Sequence, residues 1–437
     1  MDVSAFKGYR YDAAVVGDPG RCVSPPYDVI DDAQQDHLYN VSPYNIVRVI
    51  RGKADGDGQI GADVYQRAAT WLKQWRQQGV LRQEESELMY AYVQDFSMHG
   101  HAIRRSGLVA LGRLEPYGGA VRPHENTLSG PKADRLRLLQ ATRTQIGQIF
   151  MLYDDPNKRI DAILDRVANS EPLLRHEDDA GVIHRLFPIR DPNDIATVQA
   201  VMKGRDGFIA DGHHRYETAL AYWQETGEEA AHWQLMTFVN THNEGMLVLP
   251  THRLVFGLGE LHVPGLIRAM EADFDIARLA FETEEGKLGR EEELFSLLAI
   301  EFEQGSHAIG MYFGEGAFYL ATLRDLAAMA AIAPDRSDAW RQLDVAILHR
   351  LMLEKHLGID EAALAEQRHV RYVKDLGLAR ADAIAQVDRG DAHGVFFLNP
   401  TRPEEVQAVA QAGERMPQKS TFFFPKVFSG LVLRMLD

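Results

Sequence analysis

The sequence predicts a mixed α/β fold of the α+β class, and three observations support this prediction. The 437 residues are 45% hydrophobic and 25% charged, which is typical of an ordinary globular protein. Short β-branched or apolar runs, which predict strands, alternate with segments whose apolar residues recur every three or four positions, which predict helices. The sequence shows no internal repeat and no low-complexity linker, so a chain of this length is expected to form roughly two or three domains.

The first predicted domain, residues 1–115, is an N-terminal α/β unit. A strand is predicted at 44–50, YNIVRVI, because β-branched residues dominate that run. A helix is predicted at 62–78, since its apolar residues recur at helical spacing and so share one face. Two further strands at 88–96 and 106–114 are expected to pair as a hairpin.

The second predicted domain, residues 116–250, alternates helices with strands. The predicted helices lie at about 133–144, 158–168, 195–202 and 216–226, and the predicted strands at about 149–153, 182–188 and 207–210. The last of these strands and the last helix flank the polar turn DGHHR. Together they form a unit of strand, turn and helix.

The third predicted domain, residues 251–437, is a C-terminal α/β unit. Its predicted helices lie at about 264–271, 290–303, 344–357 and 403–412, and its strands at about 307–313, 317–323 and 394–398. The chain ends in an unusual tail at 416–430, MPQKSTFFFPKVFSG.

The polar turn is the first candidate functional site and consists of Asp211, Gly212, His213, His214 and Arg215. A strand that ends in a glycine turn and opens a helix directs several backbone N–H groups at one spot, and the helix dipole makes that spot attractive to phosphate. The Arg215 guanidinium suits phosphate oxygens, and Asp211 could hold a divalent metal or orient a hydroxyl. The alternative is an N-capping aspartate followed by surface histidines.

The second candidate site is the polar segment at 122–135, RPHENTLSGPKADR. Its members are His124, Glu125, Thr127, Ser129, Gly130, Lys132, Asp134 and Arg135. Lys132 and Arg135 lie three positions apart on one face of a predicted helix, where they could neutralise a polyphosphate. Glu125 is the best general-base candidate in the chain. The alternative is a solvated loop and a capped helix with ordinary surface charges.

The tail and one further segment add polar groups. Lys419 lies between two polar residues in a loop bounded by prolines and is a candidate phosphate contact, and Lys426 follows the aromatic run at 422–424. Such phenylalanines are more often part of a core than a stacking platform for bases. The polar group at 251–253, THR, follows a predicted strand.

Composition and charge exclude several protein classes. With 63 acidic and 47 basic residues the net charge is −16, which argues against a general nucleic-acid binder. No stretch approaches the roughly 20 apolar residues of a membrane-spanning helix. The single cysteine, Cys22, excludes an intramolecular disulfide and a cysteine-based zinc site. The N-terminus lacks the pattern of a secretory signal, so the cytoplasm is the expected location.

Several standard motifs do not occur in the sequence. It contains no Walker A segment, no kinase HRD or DFG motif, no GxGxxG fingerprint and no HExxH pair. His213 and His214 make a poor zinc pair, because adjacent residues at a helix start rarely bind one tetrahedral ion.

Four segments, at 24, 122, 209 and 416, together resemble a prokaryotic family catalogued as domain of unknown function number one thousand and fifteen. Their sequences are SPPYDVI, RPHENTLSGPKADRLRLL, IADGHHRYETAL and MPQKSTFFFPKVFSGL. The region at about 114–223 contains the motif PHE, followed later by a strand and the motif DGHHR. This region is also similar to the ParB and sulfiredoxin superfamily, and most of all to its free serine kinase branch. This resemblance implies a ParB/sulfiredoxin-like core with N-terminal and C-terminal α/β extensions.

The resemblance also implies roles for individual residues. In the free serine kinase branch the glutamate of the PHE-type motif activates the substrate hydroxyl, and by matching position that role falls on Glu125. Binding of phosphate and substrate falls on the DGHHR residues. The cysteine that a sulfiredoxin carries before its His-Arg pair is replaced here by His213, which makes peroxiredoxin repair an unexpected activity.

The leading hypothesis is a nucleotide-dependent kinase that phosphorylates the hydroxyl of a small metabolite, with free L-serine as first acceptor and O-phosphoserine as product. Phosphoryl transfer needs mostly positioning and charge neutralisation, which the cationic residues and a Mg²⁺ ion at Asp211 are expected to supply to ATP or ADP. The expected catalytic residues are Glu125, Asp211 and His213, and the expected cofactor-binding residues are Lys132, Arg135, Gly212, His214, Arg215 and Lys419. The alternatives are a ParB-like nucleotide-binding regulator and a phosphate-ester hydrolase.

Overall fold

A computed structural model describes residues 1–53, 63–98, 100–125 and 129–436. Thr127 of the second candidate site lies outside these residues, as does the side chain of Ser129. The described residues form two compact units. The first unit contains the described parts of 1–123, 129–247 and 425–436, and the second contains His124, Glu125 and 248–424.

The three predicted domains therefore correspond to two units. Residues 1–115 and 116–250 share one sheet, because strand Trp233–Asn240 pairs with strand His101–Arg113. The end of the chain also returns to the first unit, where Arg434–Met435 pairs with Thr144–Gln145. Strand pairing between distant segments is a tertiary property that local sequence patterns do not encode.

The first unit is built on a mixed sheet in which the described residues form nine strands. Their order is Val121–Arg122, Gly207–Asp211, Ile149–Tyr153, Trp233–Asn240, His101–Arg113, Met89–Met98, Ile183–Ile189 and Leu174–Glu177, with Val3–Ser4 paired to His101–Arg113. The pairings of Gly207–Asp211 with Val121–Arg122 and of Trp233–Asn240 with Ile149–Tyr153 are parallel. The strand that carries Asp211 thus lies next to the outermost strand of the path.

Helices cover the sheet and complete the core of the first unit. The described helices are Ala13–Val16, Asp32–Val41, Val47–Ile50, Val64–Gln77, Ser129–Thr142, Arg159–Val167, Pro192–Met202 and His213–Thr226, with short 3₁₀ turns at Pro19–Cys22, Tyr27–Val29 and Glu229–His232. A further strand pair joins Tyr9–Tyr11 to Leu81–Gln83. Met151, Phe187 and Phe238 are fully buried in this core, and their burial supplies much of its stabilisation.

The second unit is built on a six-stranded sheet whose recorded pairings are all antiparallel. The strand order is Phe274–Ala280, Ala317–Leu323, Ala308–Tyr312, Gly394–Phe397, Thr251–Val255 and Val370–Lys374, and short strands also occur at Leu247–Leu249 and Phe422–Phe424. The described helices are Val263–Met270, Glu284–Gln304, Ala327–Ile332, Asp338–Arg341, Asp344–Ile347, a π-helix at Leu348–Glu354, Lys355–Leu357, Glu361–Ala365, Ala379–Asp388 and Pro403–Gln411. Met311, Leu348 and Phe396 are fully buried in one core.

The predicted mixed α/β class is confirmed, as is the predicted hairpin, which Met89–Met98 and His101–Arg113 form. The strand predicted at 44–50 is wrong, because Val47–Ile50 is a short helix. The buried Asn45 side chain accepts a hydrogen bond from the Val47 amide at 3.0 Å, which favours a turn over an extended strand. None of the helices within the described ranges combines the length and apolar character needed to cross a membrane.

Candidate functional site

The predicted unit of strand, turn and helix around Asp211 is confirmed. Strand Gly207–Asp211 ends with a shift of register against its neighbour between Ile209 and Asp211, and such irregularities redirect side chains at the end of a strand. Gly212 then adopts a left-handed conformation, with φ of +97°, and helix His213–Thr226 begins. Glycine suits this position because it enters the left-handed region without steric cost.

Asp211 forms two ion pairs, one with each carboxylate oxygen. Arg215 lies 2.7 Å from Oδ2, and Lys426 lies 2.8 Å from Oδ1. We call Asp211, Arg215 and Lys426 the Asp211 cluster. Burial alone would raise the pKa of Asp211, but Lys426 and Arg215 outweigh burial and hold that pKa well below its usual range. The cluster therefore contains two positive charges and one permanent negative charge.

The arrangement does not fit the Mg²⁺ role expected of Asp211. Both of its oxygens already accept from cationic groups at 2.7 and 2.8 Å, so a Mg²⁺ ion would have to displace both pairs and sit beside two like charges. Within the described ranges no group of three or more His, Cys, Asp or Glu residues is placed to hold a metal ion. The predicted role of Asp211 as a metal ligand therefore does not fit the structure, in which Asp211 forms ion pairs with Arg215 and Lys426.

Arg105 is a buried cation near this cluster that the sequence interpretation missed. Its Nε donates to Gln94 Oε1 at 3.0 Å, and its guanidinium also donates to the Pro425 carbonyl. Gln94 Nε2 donates to the Lys426 carbonyl at 2.9 Å, so Gln94 and Arg105 together position the segment that carries Lys426. Burial lowers the pKa of Arg105 to about 10, against the opposing effects of Tyr92 and Asp211. In the sequence Arg105 follows Arg104 and directly precedes the strand predicted at 106–114, so no local pattern marked it.

Neither histidine of the turn is an exposed surface residue. His213 is buried and helps to lower the pKa of Asp211, and His214 is half-buried. The residue that precedes the helix is Gly212, which has no side chain with which to cap it. The alternative of an aspartate cap followed by surface histidines therefore does not describe this turn.

Lys132 and Arg135 lie on helix Ser129–Thr142, and each has a carboxylate partner. Lys132 lies 3.0 Å from Glu217, and Arg135 pairs with Asp134. Arg135 also donates to the Ile50 carbonyl at 2.8 Å and lies over the Tyr27 ring at 4.0 Å from its centroid. Lys132 and Arg135 therefore both make structural contacts within the first unit.

Arg135 and Arg215 meet at a small cavity of the first unit. Its volume is about 70 Å³, and its lining also includes Tyr27, Gly147 and Thr218. Ligand pockets for drug-sized molecules are usually larger, about 300 to 1,000 Å³, so this cavity matches a small group such as one phosphate.

Glu125 belongs to the second unit, where the tail holds it in place. Its Oε1 accepts a hydrogen bond from the Lys419 backbone amide at 2.8 Å. The Met416 amide donates to the His124 carbonyl at 2.7 Å, and the His124 Nε2 lies 3.0 Å from the Thr421 hydroxyl. Glu125 is therefore fixed through one oxygen by a main-chain donor.

The two tail lysines lie in different units. Lys419, which the sequence interpretation assigned to cofactor binding, has an exposed side chain in the second unit and a left-handed backbone with φ of +54°. Lys426, which that interpretation left unassigned, contacts Asp211 in the first unit. Lys426 is thus the tail lysine of the Asp211 cluster, and cofactor binding by Lys419 stays a prediction.

Substitution of the two lysines tests the contribution of Lys426 to the Asp211 cluster. Lys426→Ala is expected to lower the free energy of unfolding by about 3 kcal/mol, because it leaves a buried carboxylate with one partner fewer. Lys419→Ala is the matched control and is expected to change it by less than about 0.5 kcal/mol. The pKa of Asp211 is lowered in the folded state. The difference in the free energy of unfolding between wild type and Lys426→Ala is therefore expected to be largest above pH about 4 and to shrink as the pH falls below that value. Urea unfolding at several pH values measures this difference, and equal effects of the two variants would contradict a stabilising contact between Lys426 and Asp211.

Gly212→Ala tests the close approach of the turn to Arg215. A Cβ at Gly212 would lie 3.0 Å from Arg215 Nε, whereas one at Gly227, the left-handed glycine that ends the same helix, meets nothing within 4 Å. Both substitutions incur left-handed strain of about 1 kcal/mol, but only Gly212→Ala displaces the guanidinium. Under the hypothesis that this turn binds a nucleotide, we expect Gly212→Ala alone to weaken binding of ADP in calorimetric titrations, and equal binding by the two variants would contradict this expectation.

A protein-family model described as "Protein of unknown function (DUF1015)" matches residues 3–346. No curated protein matches the chain. Among solved structures, the chain is similar to a conserved hypothetical protein from Pyrococcus furiosus, with 18% identity, a TM-score of 0.33 and coverage of 73% of this chain and 92% of that one.

Two further solved structures match over a similar length. A free serine kinase variant in complex with AMP has 14% identity and a TM-score of 0.35, and covers 72% of this chain and 87% of its own. A C-terminally truncated SbnI from Staphylococcus aureus has 11% identity and a TM-score of 0.32, and the match covers 73% of this chain and 84% of that one. The distant likeness to a free serine kinase that the sequence predicts is thus found among solved structures.

Proposed function

The chain belongs to the DUF1015 family, whose description states no activity, and we propose from its own residues that it is a nucleotide-dependent kinase of a small hydroxylated metabolite. One observation carries the proposal. Arg215 and Lys426 flank Asp211 at the start of a 14-residue helix that Gly212 opens. This arrangement supplies a fixed excess of positive charge where a helix dipole also favours an anion.

Phosphate is the anion that best matches this arrangement. The guanidinium of Arg215 donates to Asp211 and to the Gln148 carbonyl. It has five N–H donors, so three remain for phosphate oxygens, and Lys426 adds a compact point charge. The first N–H groups of helix His213–Thr226 have no partner within the helix itself. Because Asp211 already holds both side chains, they are oriented before a ligand arrives, which lowers the cost of binding.

The proposed reaction transfers the terminal phosphoryl group of ATP or ADP to a hydroxyl. The hydroxyl oxygen forms the new O–P bond, the bond between that phosphorus and the nucleotide's bridging oxygen breaks, and the nucleotide leaves with the electron pair. We assign Arg215 and Lys426 to neutralising the negative charge on the phosphoryl oxygens. No step is assigned to a metal ion at Asp211.

Glu125 is the proposed base that takes the proton of the hydroxyl. Lys419 donates its amide hydrogen to one carboxylate oxygen, Oε1, which fixes the side chain and leaves the second oxygen to accept from a substrate. A base positioned in this way typically contributes about 10² to 10⁴ in rate. Free L-serine is the first acceptor to test, because the PHE and DGHHR segments resemble those of the free serine kinase branch.

Phosphorus NMR of the purified chain tests the proposal. The chain would be mixed with ATP or ADP, with and without Mg²⁺, and with a panel of hydroxylated metabolites led by L-serine. A new phosphomonoester signal that depends on one acceptor supports the kinase and names its substrate. Release of inorganic phosphate without an acceptor would identify a phosphate-ester hydrolase, and bound but intact nucleotide across the panel would favour a nucleotide-binding regulator.

A further inference from the structure

We propose that Arg253 is the positioning residue of Glu125 and that it acts through the peptide group between Gln418 and Lys419. This inference rests on the proposed function and deepens it, because it assigns the group that orients the general base. Arg253 belongs to the segment THR at 251–253, for which the sequence predicts no role. All of these residues lie in the second unit.

Arg253 is a buried cation within the sheet of the second unit. Its strand, Thr251–Val255, is paired on both sides, and the residue is 0% exposed. The guanidinium lies 4.8 Å from the ring centroid of Tyr372, which is its partner on the neighbouring strand. Burial lowers the pKa of Arg253 to about 10, against the opposing effects of Tyr372 and Glu125, so the group stays positively charged at neutral pH. A buried charge is costly unless hydrogen bonds compensate it, so its acceptors matter.

Two elements of the second unit fix one side of the guanidinium. Arg253 donates to the Thr251 carbonyl of its own strand, and its Nε donates to His349 Nε2 at 3.1 Å. An arginine can only donate, so this histidine nitrogen is the acceptor. Burial, and then the charge of Arg253, hold the pKa of His349 well below its usual range, so the ring is neutral and can accept. The sequence predicts a regular helix at 344–357, but Leu348–Glu354, which carries His349, is a π-helix, a rare form that often occurs at functional sites.

The other side of the guanidinium faces the tail. Nη2 of Arg253 donates to the carbonyls of Gln418 and Lys419 at 3.4 and 3.2 Å. The Gln418 carbonyl and the Lys419 N–H belong to the same planar peptide group, and in the usual trans form they point in opposite directions. That N–H donates to Glu125 Oε1 at 2.8 Å. One peptide group therefore connects the cation at its oxygen end to the carboxylate at its nitrogen end, and hydrogen bonds in such a chain polarise and strengthen one another.

The backbone of Lys419 indicates that this orientation is imposed on the peptide group. Lys419 adopts a φ of +54°, a left-handed conformation that is unfavourable for a residue with a side chain. Such strain persists only where the surrounding contacts impose it. The carbonyls on either side of the Lys419 Cα both accept from Arg253. Loss of Arg253 is therefore expected to let Lys419 relax and to turn its amide away from Glu125.

Other contacts hold the main chain around Glu125 and do not reach its carboxylate. Arg415 donates to the Glu125 carbonyl at 3.3 Å, and the Met416 amide donates to the His124 carbonyl at 2.7 Å. Within the described ranges, the hydrogen bond to the carboxylate comes from the Lys419 amide. Substitution of Arg253 is therefore expected to misplace the carboxylate while the segment that carries it stays in position.

Steady-state kinetics of Arg253→Met test the proposal, with the nucleotide and acceptor that the wild type uses. Methionine fills much of the same space and has no donor. The kcat is expected to fall about 10- to 100-fold, because misplacement of a group by about 1 Å can cost about 10²-fold. The KM for the nucleotide is expected to change by less than about twofold, since only an interaction of the transition state is lost.

Two comparisons separate positioning from a general loss of structure. Thr401→Val is the matched control, because the Thr401 hydroxyl donates to the Ser420 carbonyl at 2.9 Å, the next carbonyl after the two that Arg253 holds. It loosens the same tail and is expected to keep the wild-type kcat. In a Glu125→Gln background, Arg253→Met is expected to lower kcat by less than about twofold more, because an effect that acts through Glu125 is not additive with its loss.

Nitrogen NMR of lysine-labelled chain gives a readout that does not depend on catalysis. The Lys419 amide signal, assigned with Lys419→Arg, reports the hydrogen bond to Glu125, and Glu125→Ala provides the signal of the broken bond. Arg253→Met is expected to shift the signal toward its position in Glu125→Ala. Thr401→Val is expected to leave it in place.

Four results would overturn the proposal: wild-type kcat in Arg253→Met, an equal loss in Thr401→Val, additive losses in the double variant, or an unmoved Lys419 signal in Arg253→Met. If the wild type transfers no phosphoryl group to any acceptor, the proposed function fails, and the Lys419 signal alone decides whether Arg253 orients the Glu125 carboxylate. If Arg253→Met does not fold, Arg253→Lys takes its place. A lysine keeps the charge without the forked donors, so its kcat is expected to lie between those of wild type and Glu125→Gln, and wild-type kcat there would also overturn the proposal.

Discussion

Arg215→Ala is expected to lower the affinity for ADP by about tenfold or more and to destabilise the fold by about 3 kcal/mol. The affinity falls because a charge-assisted contact to phosphate is removed. The stability falls because Arg215 and Asp211 have side chains only 13% and 19% exposed, and removing one partner of a buried pair leaves the other charge poorly compensated. Calorimetric titration of ADP and urea unfolding measure the two effects.

Two further variants make the Arg215 experiment specific. Arg215→Lys keeps the charge but loses the forked geometry, so it is expected to lie between wild type and Arg215→Ala in ADP affinity. Arg166→Ala is the control in the same unit, because that guanidinium is 59% exposed and its ion pair is worth less than about 1 kcal/mol. Unchanged ADP affinity in a folded Arg215→Ala would remove Arg215 from nucleotide binding.

Glu125→Gln is expected to lower turnover by about 10² to 10⁴ and to leave ADP affinity within about twofold. Glutamine keeps an oxygen that accepts from the Lys419 amide, which in the wild type lies 2.8 Å from Glu125 Oε1, so the local conformation is retained. It cannot take a proton, and the contribution of a general base is lost. Phosphorus NMR with the acceptor identified for the wild type measures turnover.

The control for this variant is Glu366→Gln, a glutamate of the second unit whose side chain is 63% exposed. It is expected to turn over as wild type. Wild-type turnover in Glu125→Gln would exclude Glu125 as the base, whereas a joint loss of turnover and ADP binding would show that its role is structural.

The parts of the site that the sequence predicted well are local in the chain. Strand Gly207–Asp211, the glycine turn and helix His213–Thr226 follow from apolar spacing and from one glycine within a polar turn. These elements depend on short-range geometry, so a sequence pattern is sufficient to predict them. The pairing of Asp211 with Arg215 also spans only four residues, but the sequence analysis assigned the two side chains to a metal ion and to phosphate and did not predict it.

The parts that the sequence could not predict depend on contacts between distant segments. Lys426 lies 215 residues from its partner Asp211, a distance along the chain that no local pattern bridges. Both tail lysines have prolines and polar or aromatic residues nearby, so the local sequence does not show which of the two contacts Asp211. Arg105 was missed because its partners Gln94 and Pro425 lie on another strand and in the tail. Magnesium was assigned to Asp211 because a carboxylate in a polar turn does not reveal that both oxygens are already paired.

The position of a bound nucleotide tests the central claim most directly. A crystal structure of the chain with ADP is expected to show phosphate oxygens within hydrogen-bonding distance, about 3 Å, of the Arg215 guanidinium, the Lys426 ammonium or the first N–H groups of helix His213–Thr226. ADP bound with its phosphates away from all three, while the Asp211 cluster keeps only its internal ion pairs, would contradict the account.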